Sequence, residues 1–365
     1  MKYFIIAGEA SGDLHGGNLV KQLRLKDADI EITGWGGNHM KLAGVNILKN
    51  ISELAFMGFA EVLMNIGTIL QNFSLCKKQL LEVNPDLVIL IDYPGFNLRM
   101  AKWAKKKGFK VAYYISPTVW AWKENRVETI KKYVDRMICI LPFEKAFYAM
   151  RNCEVDYVGN PTVDVIEEEK LKPNQLNYKN VIALLPGSRK QEIEKMLPLM
   201  LASVADFKDF KIVIAQAPNL DKNIYLPFIE NKDIALIQHQ TYNILKLAKL
   251  AIVTSGTATL ETALFQVPQL VCYIANPISY IIAKQLVKVK YISLVNLILD
   301  RNAVVELIQN DVTVQNIQQE MKRLLFDETR IQGLKKDYEA LKNILHEGNA
   351  SERTAEIMYQ LVLKQ

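Results

Sequence analysis

The chain has 365 residues, of which 50% are hydrophobic and 23% charged, and its formal net charge is +6. This composition is typical of a globular protein, and at roughly 150 residues per domain the length predicts two domains. The small basic excess argues against a nucleic-acid-binding protein and suits an anionic membrane surface or a phosphorylated substrate.

Cysteine usage and hydropathy exclude further classes of protein. The four cysteines are scattered, without a C-x-x-C pair, which argues against a zinc site or a disulfide framework and favours a reducing cytoplasm. No run reaches the roughly 18 uninterrupted apolar residues that would span a bilayer. The apolar run after Met1 and Lys2 is too short for a signal peptide and predicts a first strand.

Short apolar segments alternate with helical stretches along the chain, a pattern typical of α/β domains with parallel sheets. Most of these segments are continuously apolar, as strands buried on both faces are. The predicted strands of the first half are residues 2–8, 29–35, 85–92, 110–116, 136–141 and 155–159, and those of the second half are residues 181–188, 210–216, 234–239, 250–256 and 268–274.

A polar, aperiodic stretch separates the two strand series, and we place the domain boundary within residues 165–178. The predicted domains are residues 1–168 and 178–345, followed by a C-terminal helix over 346–365 that would pack back on the first domain. The predicted fold class is α/β, with two Rossmann-like domains that face each other across a cleft. A ligand would bind at the carboxyl ends of both sheets.

The first loop, GEASGD, lacks the spacing of a dinucleotide-binding loop. Gly8, Gly12 and Gly16 follow the pattern G-x-x-x-G-x-x-x-G, whereas the dinucleotide fingerprint is G-x-G-x-x-G. The carboxylates of Glu9 and Asp13 would repel a pyrophosphate. The loop is therefore predicted to contact something other than a nucleotide.

Another predicted strand delivers Asp92 into a turn made by Pro94 and Gly95, with Asn97 behind it. A carboxylate at the end of a buried strand is partly desolvated, which raises its pKa toward the range of a general base. The same pattern is also typical of a helix or turn cap.

The next strand exit interleaves aromatic and cationic side chains in the string YISPTVWAWKENR. After Ser116 come Trp120 and Trp122, followed by Lys123 and Arg126. This arrangement suits a sugar that carries a phosphate. Packing between domains is the alternative interpretation.

Two strand-to-helix turns of the second half are suited to anions, and the first contains Gly187, Ser188 and Arg189. Ser188 stands three residues before Gln191, which predicts a capped helix start. The free N–H groups of such a start and the Arg189 guanidinium are groups that bind phosphate. The alternative is a plain capped loop with Arg189 exposed.

The second turn contains Ser255, Gly256 and Thr257, and Glu261 follows on the next predicted helix. Small residues let a ligand approach the backbone, and hydroxyl and N–H groups bind phosphate oxygens. Glu261 would accept hydrogen bonds from ribose hydroxyls. A hydroxyl-rich helix cap with Glu261 in solvent is the alternative, but two such turns in one domain favour a diphosphate ligand.

The amphipathic segment over residues 54–70 has larger apolar faces than one surface helix needs. We interpret it as a contact for acyl chains or a membrane surface, with core packing as the alternative. Its candidate contact residues are Phe56, Met57, Phe59, Val62, Leu63 and Ile66.

Together these motifs resemble the lipid-A-disaccharide synthases, glycosyltransferases of the GT-B type. The resemblance covers residues 8–297 and is carried by the strings GEASGD, IDYPGFN, ISPTVWAWK, LPFEKAFY, GNPTVD, LLPGSR, SGTATLE and YISLVNL. It implies transfer of 2,3-diacylglucosamine from its UDP derivative to 2,3-diacylglucosamine 1-phosphate, with inversion and without a cofactor or an essential metal. The implied products are the β-1,6-linked disaccharide of lipid A, a precursor of lipopolysaccharide, and UDP.

The resemblance also implies residue roles, with Asp92 as the catalytic base and Arg189 stabilising the leaving UDP. The implied UDP-binding residues are Gly187, Ser188, Arg189, Ser255, Gly256, Thr257, Glu261 and Asn296, with Glu306 as a further lining residue. The acceptor-side residues are Glu9, Ser11, Gly12, Asp13, His15, Asn97, Ser116, Trp120, Lys123 and Arg126. Among these, Lys123 or Arg126 would bind the acceptor phosphate.

Two positions depart from the family pattern. Gly95 stands where some members carry a second acid, and Val295 stands where relatives have a proline. The first departure leaves Asp92 as the only acid of its turn.

The resemblance implies peripheral association with the cytoplasmic face of the inner membrane, and the oligomeric state stays open. The alternatives are a UDP-N-acetylglucosamine 2-epimerase or a cell-wall glycosyltransferase that shares the donor domain. A non-catalytic lipid- or nucleotide-binding protein is a third hypothesis, and such a protein would not need Asp92.

Overall fold

The computed structural model describes residues 1–53, 66–230, 232–276 and 289–363. The chain forms two compact units, the first of Met1–Pro161 with Glu347–Gln365 and the second of Thr162–His346. The boundary between the units follows Pro161, and the range expected from the sequence is residues 165–178. The C-terminal segment is grouped with the first unit.

The first unit alternates strands and helices. Its strands are β1 (Lys2–Ala7), β2 (Glu31–Gly36), β3 (Asn46–Asn50), β4 (Leu87–Ile91), β5 (Val111–Tyr114), β6 (Arg136–Cys139) and β7 (Asp156–Tyr157). The helices described before the second unit are α1 (Ala10–Lys26), α2 (Asn38–Leu42), α3 (Ile66–Val83), α4 (Pro94–Lys106), α5 (Arg126–Tyr133) and α6 (Pro142–Ala149).

The strands of the first unit pair in the order β3-β2-β1-β4-β5-β6-β7, all in parallel. The order reverses between β1 and β4, where Ala7 pairs with Ile91. In open parallel sheets, ligands bind beyond the carboxyl ends of the two strands that flank such a reversal. The loops that start at Gly8 and Asp92 lie side by side at this edge.

The central strands of the first unit are buried on both faces, which confirms the expectation from their continuous apolar runs. Phe4 and Ile6 of β1 belong to one hydrophobic cluster, whereas Tyr3 and Ile5 belong to another. All four side chains are fully buried. Because side chains alternate along a strand, each face of the sheet receives its own core.

The second unit has the same layout. Its strands are β8 (Val181–Leu185), β9 (Lys211–Gln216), β10 (Ile234–Gln238), β11 (Ala248–Thr254), β12 (Gln269–Tyr273) and β13 (Val305–Ile308). The helices described here are α7 (Pro161–Leu171), α8 (Lys190–Val204), α9 (Leu226–Ile229), α10 (Thr241–Leu247), α11 (Thr257–Leu264), α12 (Leu294–Leu299), α13 (Val314–Phe326) and α14 (Glu328–Leu345).

The strands of the second unit pair in the order β10-β9-β8-β11-β12-β13, again all in parallel. Here the order reverses between β8 and β11, where Leu185 pairs with Val253. The turns that follow these two strands therefore lie side by side at the carboxyl edge. They are the two turns that the sequence predicts to bind anions.

The last helix, α15 (Ala350–Leu363), packs on the first unit. The Lys26 ammonium of α1 donates to the Glu356 carboxylate at 2.5 Å, and the Lys110 ammonium donates to the Leu361 carbonyl at 2.9 Å. Ala355 and Met358 are fully buried in the core that also contains β1. This helix thereby completes one face of the first sheet.

Two strands were missed by the sequence analysis because they are not apolar runs. The strands β3, with the sequence NILKN, and β13, with VELI, both lie at sheet edges and are half-buried or exposed along their length. An edge strand needs less apolar surface than a central one.

The predicted acyl or membrane contact lies outside the described residues. This applies to Phe56, Met57, Phe59, Val62, Leu63 and the side chain of Ile66. Among the helices that the structure does describe, none has the length and apolar character needed to cross a membrane.

Candidate functional site

The turn after β4 holds Asp92 in an unusual backbone conformation. Asp92 and Tyr93 have φ angles of 43° and 50°, in the left-handed region that non-glycine residues rarely adopt. The Asp92 carbonyl accepts hydrogen bonds from the Tyr113 hydroxyl at 2.5 Å and the Asn97 amide at 2.8 Å. The Asp92 N–H donates to the Tyr114 carbonyl at 3.0 Å. Such strain persists only where the surroundings enforce it, which is common at functional sites.

The environment of Asp92 favours its protonated form. Burial, reinforced by the nearby Glu9 carboxylate, raises the pKa of Asp92 from 3.8 to about 7, against a lowering effect of the Tyr93 N–H. A carboxyl group with this pKa exchanges a proton readily near neutral pH. Asp92 is therefore chemically suited to act as a general base.

The glycines of the first loop permit close packing around the Asp92 turn. A Cβ atom on Gly8 would lie 2.3 Å from the ring of Tyr93, and one on Gly16 would lie 2.9 Å from the sulfur of Met40. A Cβ on Gly12 would make ordinary contacts with Ala7. Gly8 and Gly16 are thus required for packing inside the first unit.

Asp13 has a structural role inside the first unit, whereas the resemblance places it among the acceptor-side residues. Its buried carboxylate accepts hydrogen bonds from the N–H groups of Gly37 at 2.6 Å, His39 at 2.9 Å and Met40 at 3.1 Å. These N–H groups lie at the start of α2, so the Asp13 side chain caps that helix although Asp13 belongs to α1.

Glu9, Ser11 and His15 lie near the carboxyl end of β1 in different environments. Glu9 is half-buried at the start of α1, and Ser11 is exposed. His15 is buried, and burial lowers its pKa to about 4. The His15 imidazole is therefore neutral near pH 7, and its Nδ1 has no hydrogen-bond partner among the described residues.

Asn97 is a support for the Asp92 turn, which differs from the expected contact with the acceptor. It is fully buried, and its amide nitrogen donates to the carbonyls of Ile91 at 3.1 Å and Asp92 at 2.8 Å. It also approaches the Ile6 carbonyl at 3.5 Å. One side chain thus links the carboxyl ends of β1 and β4.

Ser116 and Trp120 anchor the loop after β5 through buried partners. The Ser116 hydroxyl pairs with the Tyr148 hydroxyl at 2.9 Å, and the Trp120 indole donates to Glu144 at 3.2 Å. Glu144 also accepts from the Leu141 N–H at 3.0 Å, and burial raises its pKa to about 7. The two residues expected on the acceptor side therefore hold the loop in place.

Three cations form a cluster: Lys123 on this loop, Arg126 at the start of α5 and Arg99 on α4. The Lys123 ammonium lies 4.1 Å from the ring centre of Trp122, and the Arg126 guanidinium lies 5.5 Å from it. Burial lowers the pKa of Arg126, and the positive charge of Arg99 lowers it further. Within the described ranges, no carboxylate pairs with any of these three cations.

The backbone of the loop after β5 is also strained. Lys123 has a φ of 55°, and Ile115, which follows β5, has a φ of 67°. For a β-branched residue such as Ile115 this conformation is a genuine outlier. Loops of the first sheet at two neighbouring strand ends thus carry strained residues, which is typical of a binding site.

The turn after β8 is occupied by a side chain of its own helix. The N–H groups of Ser188 and Arg189 donate to the Glu192 carboxylate at 2.9 Å and 3.2 Å, and the Arg189 guanidinium lies 3.5 Å from it. Gly187 has a φ of 119°, and a Cβ there would lie 2.4 Å from Glu192.

The predicted cap of α8 was therefore wrong by one residue. The helix begins at Lys190 with Arg189 as its N-cap, and Glu192 accepts the free N–H groups, whereas the prediction paired Ser188 with Gln191 and placed Glu192 in the first turn without a capping contact. Gln191 and Glu192 are adjacent, and both fit the capping pattern. An anion at this turn would compete with the Glu192 carboxylate for the same N–H groups.

The turn after β11 is fixed by Ser255. Its N–H donates to the Cys272 carbonyl at 3.2 Å, and its hydroxyl donates to the Ile292 carbonyl at 2.9 Å. A hydroxyl has one hydrogen, so in this arrangement Ser255 has none left for a phosphate oxygen. Gly256 and Thr257 are exposed, and N–H groups at the start of α11 lack intrahelical partners.

Glu261 lies on α11, one turn beyond this loop. Its carboxylate accepts a hydrogen bond from the Tyr242 hydroxyl at 3.0 Å, and burial raises its pKa. A carboxylate has room for several donors, so this contact leaves capacity for a ribose hydroxyl.

Asn296 is an internal anchor, which differs from the expected contact with the nucleotide. It is fully buried, and its side-chain oxygen accepts from the N–H groups of Ala303 at 2.8 Å and Val304 at 2.9 Å. Its amide nitrogen donates to the Val304 carbonyl and to Glu306, both at 2.8 Å. Every polar atom of the side chain is therefore engaged inside the fold.

Comparison with known proteins gives the family. A family model described as lipid-A-disaccharide synthetase matches residues 3–361. The lipid-A-disaccharide synthase of Geobacter sulfurreducens is 37% identical, with 100% of this chain and 98% of the relative covered. That of Coxiella burnetii is 37% identical over 98% of both chains, and that of Syntrophus aciditrophicus is 38% identical over 99% and 97%.

Solved structures confirm the predicted GT-B fold at much lower sequence identity. The S. aureus MnaA–UDP co-structure has a TM-score of 0.70 at 16% identity, over 99% of this chain and 97% of that one. The calicheamicin glycosyltransferase CalG4 has a TM-score of 0.58 at 15% identity, over 100% and 98%. The full-length matches in sequence confirm the predicted resemblance: this chain belongs to the lipid-A-disaccharide synthase family, the glycosyltransferases that form the lipid A disaccharide.

Proposed function

We propose that the protein transfers 2,3-diacylglucosamine from UDP-2,3-diacylglucosamine to 2,3-diacylglucosamine 1-phosphate. The products are the β-1,6-linked lipid A disaccharide 1-phosphate and UDP, formed with inversion and without a metal. Family membership supports this reaction, and the observation that carries its chemistry is the strained, half-buried Asp92 with a pKa of about 7.

Asp92 is the general base of the proposed reaction. It takes the proton of the acceptor 6-hydroxyl while that oxygen attacks the anomeric carbon of the donor. The new bond joins C1 to O6, the bond between C1 and the diphosphate oxygen breaks, and the configuration at C1 inverts. A positioned base contributes on the order of 10²–10⁴ in rate. Tyr113 and Asn97 act through the Asp92 backbone and are positioning residues.

The second unit binds the UDP moiety in this proposal. Negative charge builds up on the leaving diphosphate in an oxocarbenium-like transition state. The Arg189 guanidinium and the N–H groups of Gly256 and Thr257 stabilise that charge, each such donor contributing roughly 10²–10³. A diphosphate at the Ser188 turn takes the place of the Glu192 carboxylate. Glu261 binds the ribose.

Two solved structures support a UDP-sugar as the donor. The S. aureus MnaA structure was determined with UDP, and the UDP-GlcNAc 2-epimerase from Neisseria meningitidis was determined with UDP-GlcNAc, at TM-scores of 0.70 and 0.62. Their low identity to this chain limits the support to a shared fold in which such ligands bind.

The cation cluster of Arg99, Lys123 and Arg126 binds the 1-phosphate of the acceptor. Arg126 experiences repulsion from Lys123 and from Arg99, and none of the three has a carboxylate partner in the described chain. Their positive charge is therefore unbalanced, and a phosphate dianion neutralises it. The exposed ring of Trp122 stacks beneath two of these cations and keeps them close together.

The acyl chains contact the apolar segment over residues 54–70, and the enzyme associates peripherally with the cytoplasmic face of the inner membrane. The apolar sequence of this segment and the net charge of +6 support the proposal. Charged substitutions at Phe56 and Phe59 should reduce sedimentation with anionic vesicles, whereas unchanged sedimentation would show that these side chains do not contact the membrane.

The direct test is an assay of the purified protein with both substrates in detergent. The proposal predicts release of UDP together with a disaccharide, and no release when the acceptor is omitted. Because several structural neighbours are UDP-N-acetylglucosamine 2-epimerases, UDP-N-acetylglucosamine alone is the control. Turnover of this control without any disaccharide formation would overturn the proposal in favour of an epimerase.

A further inference from the structure

Glu306 of β13 accepts an unusual number of hydrogen bonds for one carboxylate. One oxygen accepts from the Ser293 N–H at 3.0 Å, the Ser293 hydroxyl at 2.7 Å and the Asn296 amide at 2.8 Å. The other oxygen accepts from the Ile292 N–H at 2.9 Å. The carboxylate thereby fixes the backbone that leads into α12.

This backbone is connected directly to the turn after β11. The N–H of Ile292 donates to Glu306, and the carbonyl of the same residue accepts a hydrogen bond from the Ser255 hydroxyl at 2.9 Å. The other described tie of Ser255 is its N–H bond to the carbonyl of Cys272. The position of the Ser255 side chain is therefore set by a segment that Glu306 holds.

We infer that Glu306 is a positioning residue of the nucleotide site, acting through Ile292 on Ser255 and so on the N–H groups of Gly256 and Thr257. Glu306 does not touch the nucleotide in this arrangement, because its two oxygens already accept four hydrogen bonds. The inference rests on the proposed UDP site at this turn.

The Glu306→Gln variant tests the inference with a small change in shape. An amide keeps one acceptor oxygen for the donors of Ser293 and Asn296, but it turns an NH₂ group toward the Ile292 N–H and removes that bond. We expect UDP to bind about tenfold more weakly, because the lost hydrogen bond to Ile292 no longer holds the UDP-binding turn in place. A tenfold change corresponds to the net free energy of one typical hydrogen bond. The Michaelis constant for the donor should rise. The pH dependence of kcat/KM should stay the same as in the wild type, because Asp92 and its surroundings are unchanged.

A double-mutant cycle with Ser255→Ala shows whether the effect travels by the stated route. If Glu306 acts through the Ser255 hydroxyl, each single variant and the double variant lose similar UDP affinity. The matched control is Ser203→Ala, which removes a buried hydroxyl bond to the Leu199 carbonyl at the far end of α8. That variant should keep wild-type UDP affinity and combine additively with Glu306→Gln.

Calorimetry with UDP separates the possible failures. Wild-type protein that does not bind UDP would contradict the proposed function itself. Two outcomes would overturn the inference alone while the wild type still binds UDP. One is that the losses of UDP affinity in Glu306→Gln and Ser255→Ala add up in the double variant, and the other is that Glu306→Gln loses no UDP affinity. If Glu306→Gln does not fold by circular dichroism, Ser293→Ala removes the 2.7 Å bond from the same carboxylate and takes its place in the cycle under the same criteria.

Discussion

The proton on Asp92 links the local structure to the proposed reaction. Burial and the Glu9 carboxylate raise the pKa of Asp92 to about 7, and the base must be ionised to act. We therefore expect kcat/KM to rise with pH through about 7 and then level off. Asp92→Asn should lower turnover by on the order of 10²–10⁴ while calorimetric UDP binding stays unchanged.

Asp86→Asn is the matched control for this substitution. Asp86 is an exposed carboxylate just before β4 that accepts a bond from the Lys2 N–H, and its loss should leave the pH profile as it is. Near-normal turnover of Asp92→Asn would remove Asp92 from the role of base.

The same pKa shift predicts a gain in stability when Asp92 is replaced. A native pKa raised from 3.8 to about 7 means that the folded state disfavours the ionised form, so the contribution of Asp92 to stability falls as the pH rises through this range. Asp92→Asn should therefore unfold at a higher urea concentration than wild type above about pH 7. The difference should disappear near the unfolded pKa of 3.8, and a variant that is less stable at high pH would contradict the stated environment.

The cation cluster predicts a specific loss of acceptor affinity. Arg126→Ala removes one charge from the cluster and should raise the Michaelis constant for the acceptor about tenfold, the scale of a charge-assisted hydrogen bond. Lys132→Ala, an exposed cation on the same helix, should leave that constant unchanged. If Arg126→Ala weakens an acceptor without its phosphate equally, the cluster does not bind the phosphate.

Residue types alone did not separate ligand contacts from internal supports. Asp13, Asn97 and Asn296 lie in motif strings, but each is tied to the backbone of its own unit: the Asp13 carboxylate and the Asn296 oxygen accept from backbone N–H groups, and the Asn97 amide nitrogen donates to backbone carbonyls. Such partners become neighbours only after the sheet has formed. By contrast, the position of Asp92 was predictable, because a carboxylate at the end of an uninterrupted apolar run lies at a strand exit.

Among the secondary-structure elements, the central strands were predictable, whereas the edge strands β3 and β13 and the exact start of α8 were not. Continuous apolar runs mark β1, β4, β8 and β11, and these four strands flank the reversals of the two sheets. The edge strands β3 and β13 carry no such run. The start of α8 moved by one residue because adjacent residues offered equivalent capping patterns.

The C-terminal helix α15 should contribute substantially to the stability of the first unit. Met358 is fully buried in the core beside β1, so Met358→Ala leaves a cavity and should lower the free energy of unfolding by about 2–5 kcal/mol. Met150 is 75% exposed, and Met150→Ala should change it by less than about 0.5 kcal/mol. Equal effects of the two substitutions in urea unfolding would show that α15 is not part of this core.

In the whole molecule, each unit carries one half of the proposed chemistry. The first unit brings Asp92 and the loop with the cations to the carboxyl edge of its sheet, and the second brings two anion-suited turns to the equivalent edge of its own. In the proposed function, the same sheet reversal serves the acceptor in one unit and the donor in the other. Sequence pattern predicted the position of these turns, because both reversals are flanked by apolar strands that end in polar turns.

The proposed mechanism is a direct displacement in which an Asp92-activated hydroxyl attacks the donor and a protein cation replaces a metal. It is tested most directly by proton NMR of the disaccharide formed from both substrates in the presence of EDTA. We expect undiminished turnover and a product with the β configuration at the new linkage, opposite to that of the α-linked donor. An α-linked product, or turnover abolished by EDTA and restored by a divalent cation, would contradict it.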